Sequence, residues 1–292
     1  MIVAAVDVGT NSTRLLVAEL DLTQRIKVLH TDLKTTRLGE GINSGMLTSQ
    51  AMERTLTVVE QFVRQARVKG AQAVILAATS AVRDAANGKE FSEIVERRTG
   101  IPLSILPGEK EAELSYQGVV AALDAGSNDV VVMDVGGGST EFSWKDKGVV
   151  RYCSVNVGAV RMTEGAHSNR EIKELLKPSL KEMEKRSDFK LVAVGGTATT
   201  MAAMIQGLRV YDSEKVHGFK VTLSQANDLL EKISAVDLEE RRRMPGLQPE
   251  RADIIPAGVR IVKVVFECLG LTSFTASEAD ILWGLILQHP KV

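Results

Sequence analysis

Cysteine is scarce in this 292-residue sequence: only Cys153 and Cys268 occur, and they show no metal-ligand spacing. Both lie in apolar segments, which reads as buried free thiols in a reducing cytosol. A surplus of charge of one sign is also missing, with 36 Lys and Arg against 37 Asp and Glu. That balance argues against an electrostatic nucleic-acid binder, which needs a clear basic excess. It leaves room for an anionic substrate, because a local basic site needs only a few residues. No apolar run approaches the ~20 residues that span a bilayer. No basic flank precedes the apolar N-terminal run, so neither a membrane contact nor a signal peptide is expected, and the cytoplasm is the expected location. Pro-rich linkers and low-complexity segments are absent as well, so any two domains are expected to pack on each other with a cleft between.

What is present is a pattern that runs twice. The first third reads strand, strand, strand and helix, with "MIVAAVDVG", "STRLLVAEL" and "RIKVLHTDL" as an antiparallel meander. Thr48 is expected to cap a long amphipathic helix stopped by Gly70. Strand "AVILAATS", helix "KEFSEIVERRTG", strand "PLSIL" and helix "EKEAELSYQGVVAAL" follow. After the polar break "DAGSN" (124–128), three strands begin again with "DVVVMDVGG". Helix "NREIKELLKPSLKEMEKR" and strand "FKLVAVGGTATT", leading into a helix, come next. An internal duplication is the simplest account. The expected domains are residues 1–122 plus 279–292, and residues 123–278.

Aligned on Asp7 and Asp134, "VAAVDVGTNSTRL" and "VVVMDVGGGSTEF" share Asp-Val-Gly and then Ser-Thr at the same offsets. Glycine bares backbone N–H groups to an anion, and a Gly-rich turn at a strand end makes a nest of donors suited to phosphate. "VGGTATT", Val194 to Thr200, is a third such turn. Asp7 and Asp134 end apolar strands, where an uncompensated carboxylate is costly. Glu141, seven residues past Asp134, returns to the same place if a tight hairpin intervenes. Such carboxylates with hydroxyls and phosphate oxygens suit Mg²⁺; alternatively Asp134 only caps its own turn. Glu111 opens a helix just after Gly108, as a general base or as an acid favoured by the helix dipole. Arg83 follows a buried strand and Thr-Ser, where a forked donor suits phosphate, although a surface position fits too. His30 and His217 have no evident partners, and "EERRR" (239–243) reads as a solvated helical face or a polyanion contact.

The segments "DVGTNSTRL", "TSAVRDAANG", "GEKEAELSYQGV" and "DVGGGSTEF", with "VGGTATT" and "ERADIIPAGVRIV", resemble the exopolyphosphatase/guanosine pentaphosphate phosphohydrolase family over nearly the whole chain. The resemblance implies an α/β fold of the actin-like ATPase (ribonuclease H-like) type, with duplicated mixed sheets, flanking helices and an interdomain cleft. It implies that "EADILWGLILQH" crosses back onto the first domain. By the same resemblance Glu111 activates the attacking water, while Asp134 and Glu141 hold a divalent metal, Mg²⁺ or another. Gly136, Gly137, Gly138 and Ser139 cradle phosphate, and Asn11 and Arg83 contact the phosphate chain. Two departures stand out: Lys110 replaces an acid common beside the base, and "SEADILWGLI" is poorer in glycine than the family pattern.

The implied activity is removal of the terminal phosphate from inorganic polyphosphate, with guanosine pentaphosphate as the alternative substrate. The rivals are a kinase of the same superfold, which needs an adenosine pocket, and a non-catalytic nucleotide switch, for which the chain is short. Larger relatives carry an additional helical C-terminal region that grips long polyphosphate. With the sequence ending at Val292, the expectation is a distributive enzyme on short chains, unless a homodimer extends the groove.

Overall fold

In the computed structural model, which describes residues 1–21, 23, 25–123, 130–184, 186 and 189–289, the first apolar run becomes β1 (Ile2–Val8), buried along almost its whole length. A strand covered on both faces needs a continuous apolar sequence rather than alternation. It pairs antiparallel with β2 (Ser12–Leu20), which pairs antiparallel with β3 (Ile26–Thr35). Next comes α1 (Ser49–Val68), whose first turn is closed by the Thr48 hydroxyl accepting from the Ala51 N–H at 3.2 Å. The helix ends just before Gly70, which takes a φ of +82°. Strand β4 (Ala73–Ala78) runs parallel to β1 and leads into the short α2 (Ser80–Asp84). Then α3 (Gly88–Thr99), β5 (Leu103–Ile105) and α4 (Gly108–Ala122) complete a sheet of order β3-β2-β1-β4-β5.

Residues 124–129, where the polar break was expected, lie outside the described residues. The pattern resumes with β6 (Val130–Val135), β7 (Thr140–Asp146) and β8 (Val149–Val155), again an antiparallel meander. Short α5 (Ala159–Glu164) and amphipathic α6 (Asn169–Glu184) precede β9 (Lys190–Val194), which is parallel to β6. Here the structure departs from the sequence reading, which drew the strand on to Thr200. Gly195 turns the backbone at a φ of +81°, and α7 (Gly195–Ile205) begins at once. The remaining elements are α8 (Ser213–Val216), β10 (Lys220–Thr222), α9 (Leu223–Ser234), α10 (Leu238–Arg242), α11 (Ile255–Leu269), β11 (Ser273–Ala276) and α12 (Ile281–Leu287). The second sheet has the order β10-β11-β9-β6-β7-β8.

The chain divides into two units, Met1–Asp124 with Asp280–Val292, and Ala125–Ala279. Each carries one mixed sheet with flanking helices, the duplicated α/β arrangement of the actin-like ATPase fold. In the first unit α12 packs on α4 through glycine. A Cβ on Gly118 would stand 2.1 Å from the Asp280 carbonyl oxygen, and one on Gly284 would stand 2.2 Å from that of Leu114. Only glycine lets the backbones come this close. Leu114, Ile281, Leu285 and Ile286 then share a core with Val3, Ala5 and Leu16 of the sheet. In the second unit the core lies among β6, β7, β9 and helices α6, α7, α9 and α11. Cys153 and Cys268 are not joined in a disulfide and are only partly buried, because each sits at the margin of that core. Among the described residues no helix is long and apolar enough to cross a membrane.

Candidate active site

In each unit the chemistry-bearing residues gather where parallel strands end, the place where α/β sheets present loops and helix N-termini to ligands. In the first unit β1, β4 and β5 run parallel, and their carboxyl ends lead to Asn11, Arg83 and Glu111. The β1–β2 turn is closed by the Gly9 N–H donating to the Ser12 carbonyl at 3.1 Å. Asn11 is buried within it and donates from Nδ2 to the Ser12 hydroxyl at 3.1 Å.

The structure brings Arg83 and Glu111 together. Arg83 Nη1 donates to Glu111 Oε2 at 2.9 Å and to the Leu106 carbonyl at 3.0 Å, and its Nε lies 3.5 Å from Asp84 Oδ1. Glu111 is buried in the first turn of α4, where the helix dipole also favours a carboxylate. Lys110, at the position where an acid is common, turns to Glu113 at 2.9 Å instead. Asp7 ends β1 opposite Arg14, which donates to its Oδ2 from Nε at 3.1 Å and from Nη2 at 2.7 Å. Burial raises the Asp7 carboxyl above its usual range, with Arg14 opposing the rise and Asp280 adding to it.

In the second unit Asp134 and Glu141 face each other across β6 and β7, as the tight hairpin predicts. Both are buried, and Glu141 Oε1 accepts from the Ser154 hydroxyl at 2.7 Å. The turn between them is closed by the Gly136 N–H donating to the Ser139 carbonyl at 3.0 Å. Its other carbonyls are spoken for. Gly136 O accepts from the Ala159 N–H at 2.9 Å, Gly137 O from the Val160 N–H at 2.8 Å, and Gly138 O from Arg161 Nε at 2.8 Å. A trans peptide is planar with N–H opposite C=O. The N–H groups of Gly137, Gly138 and Ser139 therefore point away from α5 and Arg161, as an anion-binding nest requires.

Several of these contributors were not singled out from the sequence. Arg161 stands 23 residues beyond the carbonyl it holds. Gly158 passes so close that a Cβ there would lie 2.4 Å from the Gly137 carbonyl oxygen. Gly195 seats Asp134: a Cβ on it would lie 2.4 Å from Asp134 Oδ1. "VGGTATT" thus ends β9 and opens α7, with Gly195 packed on the acid. His217, read as partnerless, accepts at Nδ1 from the Glu278 N–H at 3.2 Å. In "EERRR" Arg241 is tied down, donating to the carbonyls of Ile233, Val236 and Ala252.

A model of the Ppx/GppA phosphatase family matches residues 16–289. The chain is 34% identical to the bifunctional 3-dehydroquinate synthase/phosphatase of Fusobacterium nucleatum, covering 98% of this chain and 46% of that protein, so it spans less than half of that relative. It is 31% identical to exopolyphosphatase 2 of Mycobacterium tuberculosis, over 98% of both chains. Among solved structures, the Aquifex aeolicus PPX-GPPA enzyme superposes with a TM-score of 0.81 at 28% identity, covering 99% of both chains. An exopolyphosphatase from Cytophaga hutchinsonii gives 0.89 at 25% identity, covering 98% of this chain and 96% of that one.

Proposed function

The chain belongs to the Ppx/GppA phosphatase family and is a phosphoanhydride hydrolase, and on that premise we propose that it removes the terminal phosphate of inorganic polyphosphate. The observation that carries the reading is the buried Glu111 carboxylate held by Arg83 at 2.9 Å, at the carboxyl end of the first sheet. The similarity to a named exopolyphosphatase over 98% of both chains supports the choice of substrate.

Phosphoanhydride cleavage asks the protein for positioning, charge neutralisation and a group to orient or deprotonate water. In this reading Glu111 takes the proton from the attacking water. Arg83 fixes the Glu111 carboxylate and supplies a forked cation for phosphate oxygens. Asn11 adds a side-chain amide, and the N–H groups of Gly137, Gly138 and Ser139 receive phosphate oxygens without desolvating a charge of their own.

Among the described residues no group of three or more His, Cys, Asp and Glu side chains gathers as a metal cage. Mg²⁺ does not ask for one: it keeps waters and takes one or two carboxylates plus substrate phosphate oxygens. Asp134 and Glu141, opposed on one hairpin and both buried, fit that mode. A cation held by them would neutralise charge on the phosphate oxygens.

The test is phosphate release from polyphosphate, guanosine pentaphosphate and ATP, each supplied alone with Mg²⁺. The reading expects the highest kcat/KM on polyphosphate. A higher value on guanosine pentaphosphate would move the assignment to that substrate. A lack of phosphate release from all three would overturn the hydrolase reading.

A further inference from the structure

The hairpins that open the two units are built alike, yet they carry opposite charge at one position. Asp7 faces Arg14 across β1 and β2, and Asp134 faces Glu141 across β6 and β7. Both turns close from a glycine N–H to a serine carbonyl, at 3.1 and 3.0 Å. Each leading strand lies between its hairpin partner and a parallel strand, β4 or β9. The duplicated position therefore holds a guanidinium in the first unit and a carboxylate in the second.

Arg14 serves two acids. Beyond its two bonds to Asp7 Oδ2, its Nη1 donates to Asp280 Oδ2. Asp280 uses its other oxygen to cap α12, accepting from the Leu282 N–H at 3.0 Å. Both acids are buried, at 5% and 3% exposure. Asp7 Oδ1 is buried with no hydrogen-bond partner among the described residues. A buried carboxylate oxygen left that way calls for an ordered water or a ligand.

We propose, resting on the phosphatase reading, that Arg14 is a positioning residue: a built-in counter-charge that holds Asp7 by Oδ2 and leaves Oδ1 to accept from a water beside the turn carrying Asn11. Two buried carboxylates share this guanidinium, so each competes with the other for it. Among the described residues, the charged groups acting on Asp7 are Arg14 on β2 and Asp280 before α12; from β4 the residue opposite is Ala77, which carries none. Ionised Asp7 is the working form. Arg14 thereby sets the pH below which the turn is altered by protonation.

The experiment follows Asp7 by carboxyl ¹³C NMR and the acid limb of kcat/KM in the intact protein, using whichever phosphoanhydride the wild type turns over. Arg14→Gln should raise both midpoints by about 1–3 pH units, the range for loss of a close opposite charge. Arg14→Lys should raise them less, keeping the charge but not the fork. Asp280→Asn, whose amide can still cap α12, should lower both, and it carries the comparison if Arg14→Gln fails to fold. In Arg14→Gln kcat should fall more than KM rises. An acid limb that stays fixed while the Asp7 resonance moves would reduce Arg14 to a structural tie, as would a resonance that does not move. If polyphosphate is not a substrate, the substrate reading fails while the NMR arm still stands.

Discussion

Arg83 Nη1 and Glu111 Oε2 lie 2.9 Å apart, tying the helix after β4 to the first turn of α4. Residues with separate expected roles are thus one ion pair. Glu111→Gln keeps the shape of the side chain and removes its ability to accept a proton. Turnover should fall about 10²–10⁴-fold, the usual contribution of general-base help, while substrate binding survives. Steady-state kinetics with a binding measurement on the variant check this. Activity within about threefold of wild type would take Glu111 out of the role.

The same pair predicts a stability cycle. Arg83→Met leaves the buried Glu111 carboxylate without its guanidinium, and because Arg83 is itself only partly buried the cost should be about 1–3 kcal/mol. Adding Glu111→Gln removes the stranded charge, so the double variant should be more stable than Arg83→Met alone. Denaturant unfolding of the four proteins measures this coupling. Strict additivity would show that the two side chains do not stabilise each other.

Much of this arrangement was legible in the sequence because turns and strand ends advertise themselves. Asp-Val-Gly twice, with Ser-Thr at the same offset, marked both hairpins, and Gly108-Glu109-Lys110-Glu111 marked a helix start. What stayed hidden depends on register and on contacts distant in sequence. Arg14 stood inside the quoted motif, but only the pairing of β1 with β2 shows it opposite Asp7. Arg161 and Gly158 act on the glycine loop through backbone carbonyls, which leave no residue pattern. At Val194 periodicity could not mark where strand becomes helix, because Gly195 and Gly196 suit a loop as well as a tight helix start.

His217 gives the pH prediction. Burial holds its imidazole below the usual histidine range, and its Nδ1 accepts from the Glu278 N–H, a bond that the protonated ring cannot make. The unfolded chain therefore binds a proton more readily than the folded one. The stabilisation is fully present above the unfolded histidine value of about 6.5 and is lost as pH falls from there toward the lower folded value. The Tm difference between wild type and His217→Gln should shrink as pH is lowered through that window. A difference that stays constant from pH 8 to pH 5 would show that folding does not lower the proton affinity of the ring.

The cation assignment makes a prediction that two different kinds of substitution must satisfy together. Asp134→Ala removes one of the two opposed carboxylates, and a hard cation that loses a carboxylate needs a higher concentration to bind. Glu141→Ala should do the same, and Ser154→Ala more weakly, because it removes only the hydroxyl that steadies Glu141. Gly195→Ala touches neither carboxylate chemically. Its new Cβ would nevertheless stand 2.4 Å from Asp134 Oδ1, at a φ of +81° that alanine rarely adopts, so the acid must move. If Asp134 holds the cation, Gly195→Ala should raise the Mg²⁺ concentration for half-maximal activity in the same direction as Asp134→Ala. Gly158→Ala is the control on this logic. It pushes on the Gly137 carbonyl, so it should weaken phosphate binding, seen as a higher KM, and leave the Mg²⁺ midpoint nearly unchanged at saturating substrate. The measurement is a matrix of Mg²⁺ against substrate for each variant, with circular dichroism to confirm folding. An unchanged Mg²⁺ midpoint in folded Asp134→Ala and Glu141→Ala would place the cation elsewhere. A Gly195→Ala enzyme that loses kcat alone would show that the contact with Asp134 positions something other than a metal ligand.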